Sequence, residues 1–128
     1  MSTLRTNALE GVDAKNSITI VAGAGNITTT NVQEGLCKAW VFGGEDASLN
    51  DSFNIASGTD NGTGTYTYAF TSDLANINYS GACSANDNSD RNVTILVSVT
   101  GQYVVEVFQQ NGSEIDTRNR SLIVGDLA

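Results

Sequence analysis

The sequence predicts an all-β protein: a small antiparallel β-sandwich or barrel-like module with an extended N-terminal β arm. Short apolar runs alternate in polarity with a period of two, as half-buried strands do. Clusters of Gly, Asn, Asp and Ser separate these runs at short intervals, as expected for strands joined by turns. A chain of 128 residues is long enough for one core.

The first 34 residues carry two strand signals, of which the second is the weaker. Asn16–Val21 is β-branched and alternating, and Asn26–Val32 follows after a Gly-rich break. This hairpin-like pair has no aromatic residue, and a two-stranded unit is marginal in water by itself. We therefore predict an attachment arm over residues 1–34 that adds strands to a neighbouring subunit or particle. Its docking side chains are expected to be Ile18, Ile20, Ile27 and Val32.

The stretch Gly35–Phe70 begins the folded module, predicted over residues 35–128. It contains three apolar runs, Lys38–Phe42, Ser52–Ala56 and Thr65–Phe70, which predict a β-meander. The Gly-rich segment before the third run supplies the positive-φ positions that a hairpin loop needs. Large aromatic residues in alternating runs are usually core residues, and the predicted core anchors are Trp40, Phe53, Tyr66, Tyr68 and Phe70.

Four further strands are predicted in the second half of the chain. They are Leu74–Ser80, Arg91–Val99, Tyr103–Phe108 and Ser121–Val124. In the strongest of them, one apolar face is expected to comprise Val93, Ile95, Val97 and Val99.

Residues in and after the stretch Gly35–Phe70 resemble a short β domain of virion proteins from marine tailed bacteriophages (cyanophage-like). Those proteins are described as tail fibre or tail appendage proteins. The matching residues are Gly35, Leu36, Lys38–Val41, Asp51–Asn54, Ser57, Thr59–Gly64, Tyr66, Thr67 and Phe70, with weaker matches at Asn78-Tyr79 and Val124–Asp126. The chain departs from the pattern between Trp40 and Asp51, and at Cys37, where relatives carry Ala.

This resemblance implies a structural virion protein that acts by assembly and surface recognition. It implies a homotrimer, contacts with other virion proteins of the tail, neck or capsid, and a host surface glycan or receptor as a further candidate partner. The expected location is the virion, after synthesis in the bacterial cytoplasm. The alternative is a capsid decoration, cement or head-fibre protein on the same fold.

Composition argues against several other functions. The chain has no histidine, the commonest general base and metal ligand. Its net charge is −8, which argues against nucleic-acid binding through a basic surface. No apolar run is long enough to span a bilayer, so we expect no membrane insertion. We expect no catalytic activity, cofactor or required metal; a glycan-active enzyme is the less favoured reading.

Individual motifs have structural explanations that we prefer. The loop Asn86–Asp90 lacks the Gly and Glu that an EF-hand requires. The acidic residues Glu45, Asp46 and Asp51 are expected to be surface charge, and Cys37 and Cys83 to be free thiols. The glycines of Thr59–Gly64 precede a strand, unlike those of a phosphate-binding loop. An aromatic sugar platform is a weaker alternative to a core role.

Overall fold

Ten strands form from the described residues of the computed structural model, which are 6, 8, 19–21, 29–31, 35–85 and 90–128, with backbone alone at 19–21, 29–31, 97 and 98. The chain divides into two compact units, Met1–Leu36 and Cys37–Ala128. In the first unit, β1 (Thr19–Val21) pairs antiparallel with β2 (Thr29–Asn31).

The second unit contains two four-stranded antiparallel sheets. The first, here called the tryptophan sheet, has the order β4-β3-β10-β7, and the second, the tyrosine sheet, has the order β5-β6-β9-β8. Their bounds are β3 Cys37–Gly43, β4 Leu49–Phe53, β5 Ile55–Asp60, β6 Thr65–Phe70, β7 Ser80–Ala85, β8 Arg91–Val99, β9 Gln102–Gln109 and β10 Asn119–Val124. Neither sheet closes into a barrel, so the predicted all-β class is confirmed in its sandwich form.

The core lies between these two sheets and is asymmetric. The tyrosine sheet contributes three tyrosines and a phenylalanine, whereas the apolar side chains from the tryptophan sheet are only aliphatic, Ala39 and Val41 on β3 and Ile123 on β10. The fully buried tyrosines are Tyr66, Tyr68 and Tyr103, and Phe70 is also buried. A Cβ atom at Gly43 would lie 1.9 Å from the Tyr68 hydroxyl oxygen, so the large rings fill the space opposite β3.

Polar groups of β10 and of the segment just before it meet the tyrosine hydroxyls across the core. Tyr68 donates to Asn119 Oδ1 at 3.0 Å, and the Tyr103 hydroxyl lies 2.7 Å from Ser121 Oγ. The Tyr66 hydroxyl accepts from the backbone N–H of Thr117 at 3.0 Å. Buried hydroxyls must be paired to avoid a large desolvation cost, and these bonds meet that requirement while setting the offset between the sheets.

The prediction that Trp40 and Phe53 anchor the core is wrong. Trp40 is 37% exposed and Phe53 is 52% exposed. Successive residues of a strand point to opposite faces, and on β3 the inward set is Ala39, Val41 and Gly43. The three tyrosines leave no room for an indole on that side, so Trp40 points away from the core.

The predicted β-meander is also wrong, because the chain changes sheets within the run Ser52–Ala56. β4 pairs with β3, whereas β5 pairs with β6. Between them Asn54 has φ 55°, a conformation that Asn tolerates better than most residues. Its side-chain amide donates to the carbonyls of Lys38 and Ser72 at 3.0 and 3.1 Å, which holds this corner in place.

Two predicted features of the second half need correction. Leu74–Ser80 is not a strand: Leu74 makes one isolated bridge to Leu127, and the strand begins at Ser80. β7 contains Gly, Ala and Ser, which have weak strand signals, and the Ile95 and Ile123 side chains occupy the space beside it. The predicted apolar face of β8 does not extend to Val99, because a register shift follows Ile95 and Val99 is 42% exposed. The side chain of Val97 is not among those described.

Candidate interaction surface

An uninterrupted row of apolar side chains crosses the outer face of the tryptophan sheet. Trp40 on β3 lies directly opposite Phe53 on β4 and Leu122 on β10, and Leu122 lies opposite Ala82 on β7. Leu122 is 45% exposed, comparable to Trp40 and Phe53. The register thus places one apolar residue from each of the four strands side by side. We call Phe53, Trp40, Leu122 and Ala82 the apolar row.

A second row lies beside it, one pleat along the strands. Phe42 on β3 is opposite Asp51 on β4 and Arg120 on β10, and Arg120 is opposite Ser84 on β7. The Arg120 guanidinium carbon lies 4.4 Å from the centroid of the Phe42 ring. Such a cation–π contact contributes about 0.5–1 kcal/mol at an exposed site, so it orders both side chains on the surface. We call Asp51, Phe42, Arg120 and Ser84 the mixed row.

The two rows make the face uneven. Its β4–β3 half carries the bulky rings of Phe53, Trp40 and Phe42, whereas its β7 edge carries only Ala82 and Ser84. A shallow depression of about 460 Å³ lies between the β3 rings and the β7 side chains, with Leu122 and Arg120 among its lining residues. The face therefore has a bulky half and a small half, which are next to one another.

The predicted acidic residues lie at two places near this face, and Glu45 and Asp46 line one depression together with Arg118. Glu45 and Asp46 occupy the turn between β3 and β4, and Asp51 lies in the mixed row. The Asp46 carboxyl is solvent-exposed, and hydrogen bonds from Ser48 lower its pKa. The bond from the Ser48 side chain has the larger effect, and the bond from the Ser48 backbone the smaller one. Asp46 thus stabilises the turn around Ala47, whose φ is 62°.

The Thr59–Gly64 motif has a structural role. Asp60 Oδ1 accepts from the backbone N–H of Gly62 at 2.9 Å, which closes the β5–β6 hairpin. Gly64 N donates to Asp116 Oδ1 at 2.7 Å and Gly64 O accepts from Val107 N at 2.8 Å. The motif therefore ties the hairpin to β9 and to the segment leading into β10.

Other predicted site residues fall into three groups. Cys37 and Cys83 are free thiols on β3 and β7, with β10 between the two strands. Of the arm residues, Ile20 lies in β1, where its backbone pairs with Thr30, and its side chain is not described. Those outside the described residues are Ile18, Ile27 and Val32, and so is segment 86–89 of the calcium-like loop.

Across the described ranges, no three His, Cys, Asp or Glu side chains are grouped as metal ligands. Those ranges also contain no helix with the length and apolar character to cross a membrane.

Sequence reasoning missed Phe42, Arg120, Leu122 and Ala82 as surface partners. The sequence does show that Ala39 and Val41 alternate with Trp40 and Phe42 along one strand. It shows that β3 has a small face and a bulky face. Which of them meets the core depends on the opposite sheet, and β10, which lies about 80 residues later, completes the row only after folding.

In the comparisons with known proteins, no family model, curated protein or solved structure matches this chain. The resemblance of residues 35–126 to phage virion proteins stays a prediction.

Proposed function

We propose that this chain is a structural protein of a tailed-bacteriophage virion, a fibre-like or appendage protein that acts by assembly and surface recognition, without catalysis. The observation that carries the assembly role is the apolar row on the outer face of the tryptophan sheet. The link to a virion comes from the sequence resemblance.

An exposed apolar row of this kind has a cost for a solitary domain. Full burial of a Leu or Phe side chain is worth about 1.5–3 kcal/mol, and Phe53 and Leu122 leave roughly half of their surface in water. Contiguous apolar surface with an adjacent arginine and aromatic rings is typical of protein–protein contact sites. The net charge of −8 keeps the chain soluble while this face stays available.

The role of the shared motif agrees with a virion module rather than with a shared active site. Thr59–Gly64 carries much of the resemblance, and its contacts are hairpin and loop contacts within the fold. A motif of this type favours common architecture, on which outward-facing residues vary with the partner. We propose an oligomer, with a homotrimer favoured by the resemblance, that contacts tail, neck or capsid proteins. A host surface glycan or receptor is a further partner under this proposal.

The test uses virions of a tailed bacteriophage whose genome encodes this chain. Mass spectrometry of purified particles should detect it at many copies per particle, and electron cryomicroscopy of particles carrying a tagged chain should show its position. Density on the tail or neck supports the appendage role, and density on the capsid shell supports the decoration or head-fibre alternative. Purified virions that lack the chain would overturn the proposal.

A complementation assay tests the role of the outer face. Particles lacking the chain are incubated with purified wild-type protein, with Trp40→Thr/Leu122→Thr, or with Leu96→Thr as the matched control. Leu96 is 50% exposed on β8 of the other sheet, and Thr retains strand propensity at all three positions. We expect the double variant to lose occupancy on the particles and the other two proteins to keep it. Equal occupancy for all three would show that assembly does not use the apolar row.

A further inference from the structure

We propose that the apolar row is covered by the same face of another copy of this chain, with the bulky half of one copy packed on the small half of the other. The inference rests on the proposed function only in that both use this face for assembly. The shape and charge of the two rows favour this packing.

The order of side chains across the sheet makes the face complementary in shape to itself. The apolar row runs Phe53, Trp40, Leu122, Ala82 from β4 to β7. A two-fold axis parallel to the strands reverses the strand order of the second copy and keeps each row over itself. Trp40 then faces Leu122 of the second copy, and Phe53 faces Ala82 of the second copy. The depression beside β7 of one copy then receives aromatic rings from the bulky half of the other copy.

The mixed row avoids like-charge contacts under the same operation. Phe42 faces Arg120 of the second copy and Arg120 faces Phe42 of the second copy, so the cation–π contact seen within one chain also has partners between chains. Arg120 does not meet Arg120, and Asp51 meets Ser84. A two-fold axis across the strands would instead place Leu122 on Arg120, which buries a guanidinium against an aliphatic side chain.

The face is also suited to self-association because its charges balance. The chain carries a net charge of −8, yet the two rows contain one acidic residue, Asp51, and one basic residue, Arg120. Two copies repel one another through their overall charge, and these two rows add no net charge to that repulsion. Added salt screens the long-range repulsion, so we expect association to strengthen between low and physiological ionic strength.

The size of the face predicts weak association. Four strands at about 4.8 Å spacing and six residues at about 3.3 Å give a footprint of about 19 by 20 Å per copy. This is about 380 Å² per copy, below the roughly 600 Å² per partner of the smallest stable interfaces, so the expected dissociation constant is micromolar or weaker. A three-fold ring in which the bulky half of each copy contacts the small half of the next uses the same residues, and stoichiometry distinguishes it from the two-fold pair.

Analytical ultracentrifugation of the full chain from about 1 μM to 1 mM tests self-association, in the concentration range that the interface size implies. We expect a concentration-dependent dimer or trimer, at least tenfold weaker for Trp40→Thr/Leu122→Thr and unchanged for Leu96→Thr. A chain that stays monomeric over the whole range, or a double variant that associates like wild type, would overturn the inference.

Crosslinking tests the arrangement itself. Cys37→Ser/Cys83→Ser provides a background without native thiols, into which Phe53→Cys and Ala82→Cys are introduced singly. A short bis-maleimide is used because packed sheets lie about 10 Å apart, beyond the reach of a disulfide. A mixture of the two single variants should crosslink, whereas each variant alone should not. Equal crosslinking of Phe53→Cys alone would reject the packing of bulky half on small half.

The two proposals fail separately. A chain that is monomeric in solution yet decorates virions would reject self-association and leave the virion role standing. A chain that associates through this face and is absent from virions would reject the virion role alone.

Discussion

Three tyrosine hydroxyls are the residue-scale feature on which the sandwich depends. Tyr66, Tyr68 and Tyr103 are fully buried, and each hydroxyl has a hydrogen-bond partner in β10 or just before it. Asn119 is itself fully buried, and its Nδ2 has no partner among the described residues. Of the three hydrogen bonds, the Tyr68–Asn119 bond is therefore the one whose loss we expect to destabilise the fold most.

Replacing Tyr68 with Phe should lower the free energy of unfolding by about 1–3 kcal/mol, because Asn119 Oδ1 is left buried and unpaired. Urea titration of the two proteins measures the difference. The matched control is Tyr68→Phe/Asn119→Leu, in which both partners are apolar and of similar size. The double variant should recover part of the lost unfolding free energy. A Tyr68→Phe protein within about 0.5 kcal/mol of wild type would show that the hydroxyl does not contribute to stability.

Trp40 gives the opposite expectation, because its side chain is on the surface. Trp40→Thr removes two cross-strand contacts, with Phe53 and Leu122, each worth about 0.2–1 kcal/mol. The expected loss in unfolding free energy is therefore at most about 2 kcal/mol, below the roughly 3–5 kcal/mol of a truncated core Trp. Chemical denaturation followed by far-ultraviolet circular dichroism measures it. A loss of about 4 kcal/mol would return Trp40 to a core role.

At the scale of elements, the β5–β6 hairpin shows how one turn supports distant segments. Gly64 has φ 72°, and its backbone bonds to Asp116 and Val107. A Cβ there would lie 2.6 Å from Val107 O and 2.8 Å from Ile115 N, which are backbone atoms and therefore cannot move aside cheaply.

Gly64→Ala should consequently destabilise the chain more than Gly112→Ala. Gly112 has φ 86° and open space around the Cβ position, so the control carries the backbone strain without the close contacts. Overpacking typically adds about 1–3 kcal/mol, and this is the expected difference between the two variants. Thermal unfolding of both proteins checks it. Equal destabilisation would mean that the hairpin shifts away from β9 without penalty.

At the scale of the whole molecule, the three buried tyrosines make the stability of the fold decrease at alkaline pH. Burial raises the pKa of Tyr66 and Tyr68 to about 12, and it also raises the pKa of Tyr103. In the unfolded chain a tyrosine ionises near pH 10, so between pH 10 and about 12 the folded state holds protons that the unfolded state has lost. Stability from these groups is fully present below pH 10 and falls as the pH rises through that window.

Urea titrations from pH 8 to 11.5 test this expectation. The background should be Cys83→Ser, because burial also raises the pKa of the Cys83 thiol and its ionisation would act in the same direction. The unfolding free energy should be level below pH 10 and then decline, with a shallower decline in Tyr68→Phe. A free energy that is constant from pH 10 to 11.5 would contradict the burial of these hydroxyls.

The sequence by itself determined the all-β class and most strands, because alternation and turn chemistry are properties of neighbouring residues. The hairpins β1–β2, β5–β6 and β8–β9 are local in this sense. The change of sheet at Asn54 was hidden, since a strand that crosses from one sheet to the other keeps its apolar residues and loses only its partner.

Only the tertiary structure decided which face of β3 is buried. Alternation separates Ala39 and Val41 from Trp40 and Phe42 but does not say which pair meets the opposite sheet. The tyrosines of β6 and β9 occupy the core volume, so the small pair faces inward and the bulky pair outward. β10 then lies between β3 and β7 and aligns Leu122 with Trp40. The candidate surface arises because core volume is limited, and residues far apart in the chain share it.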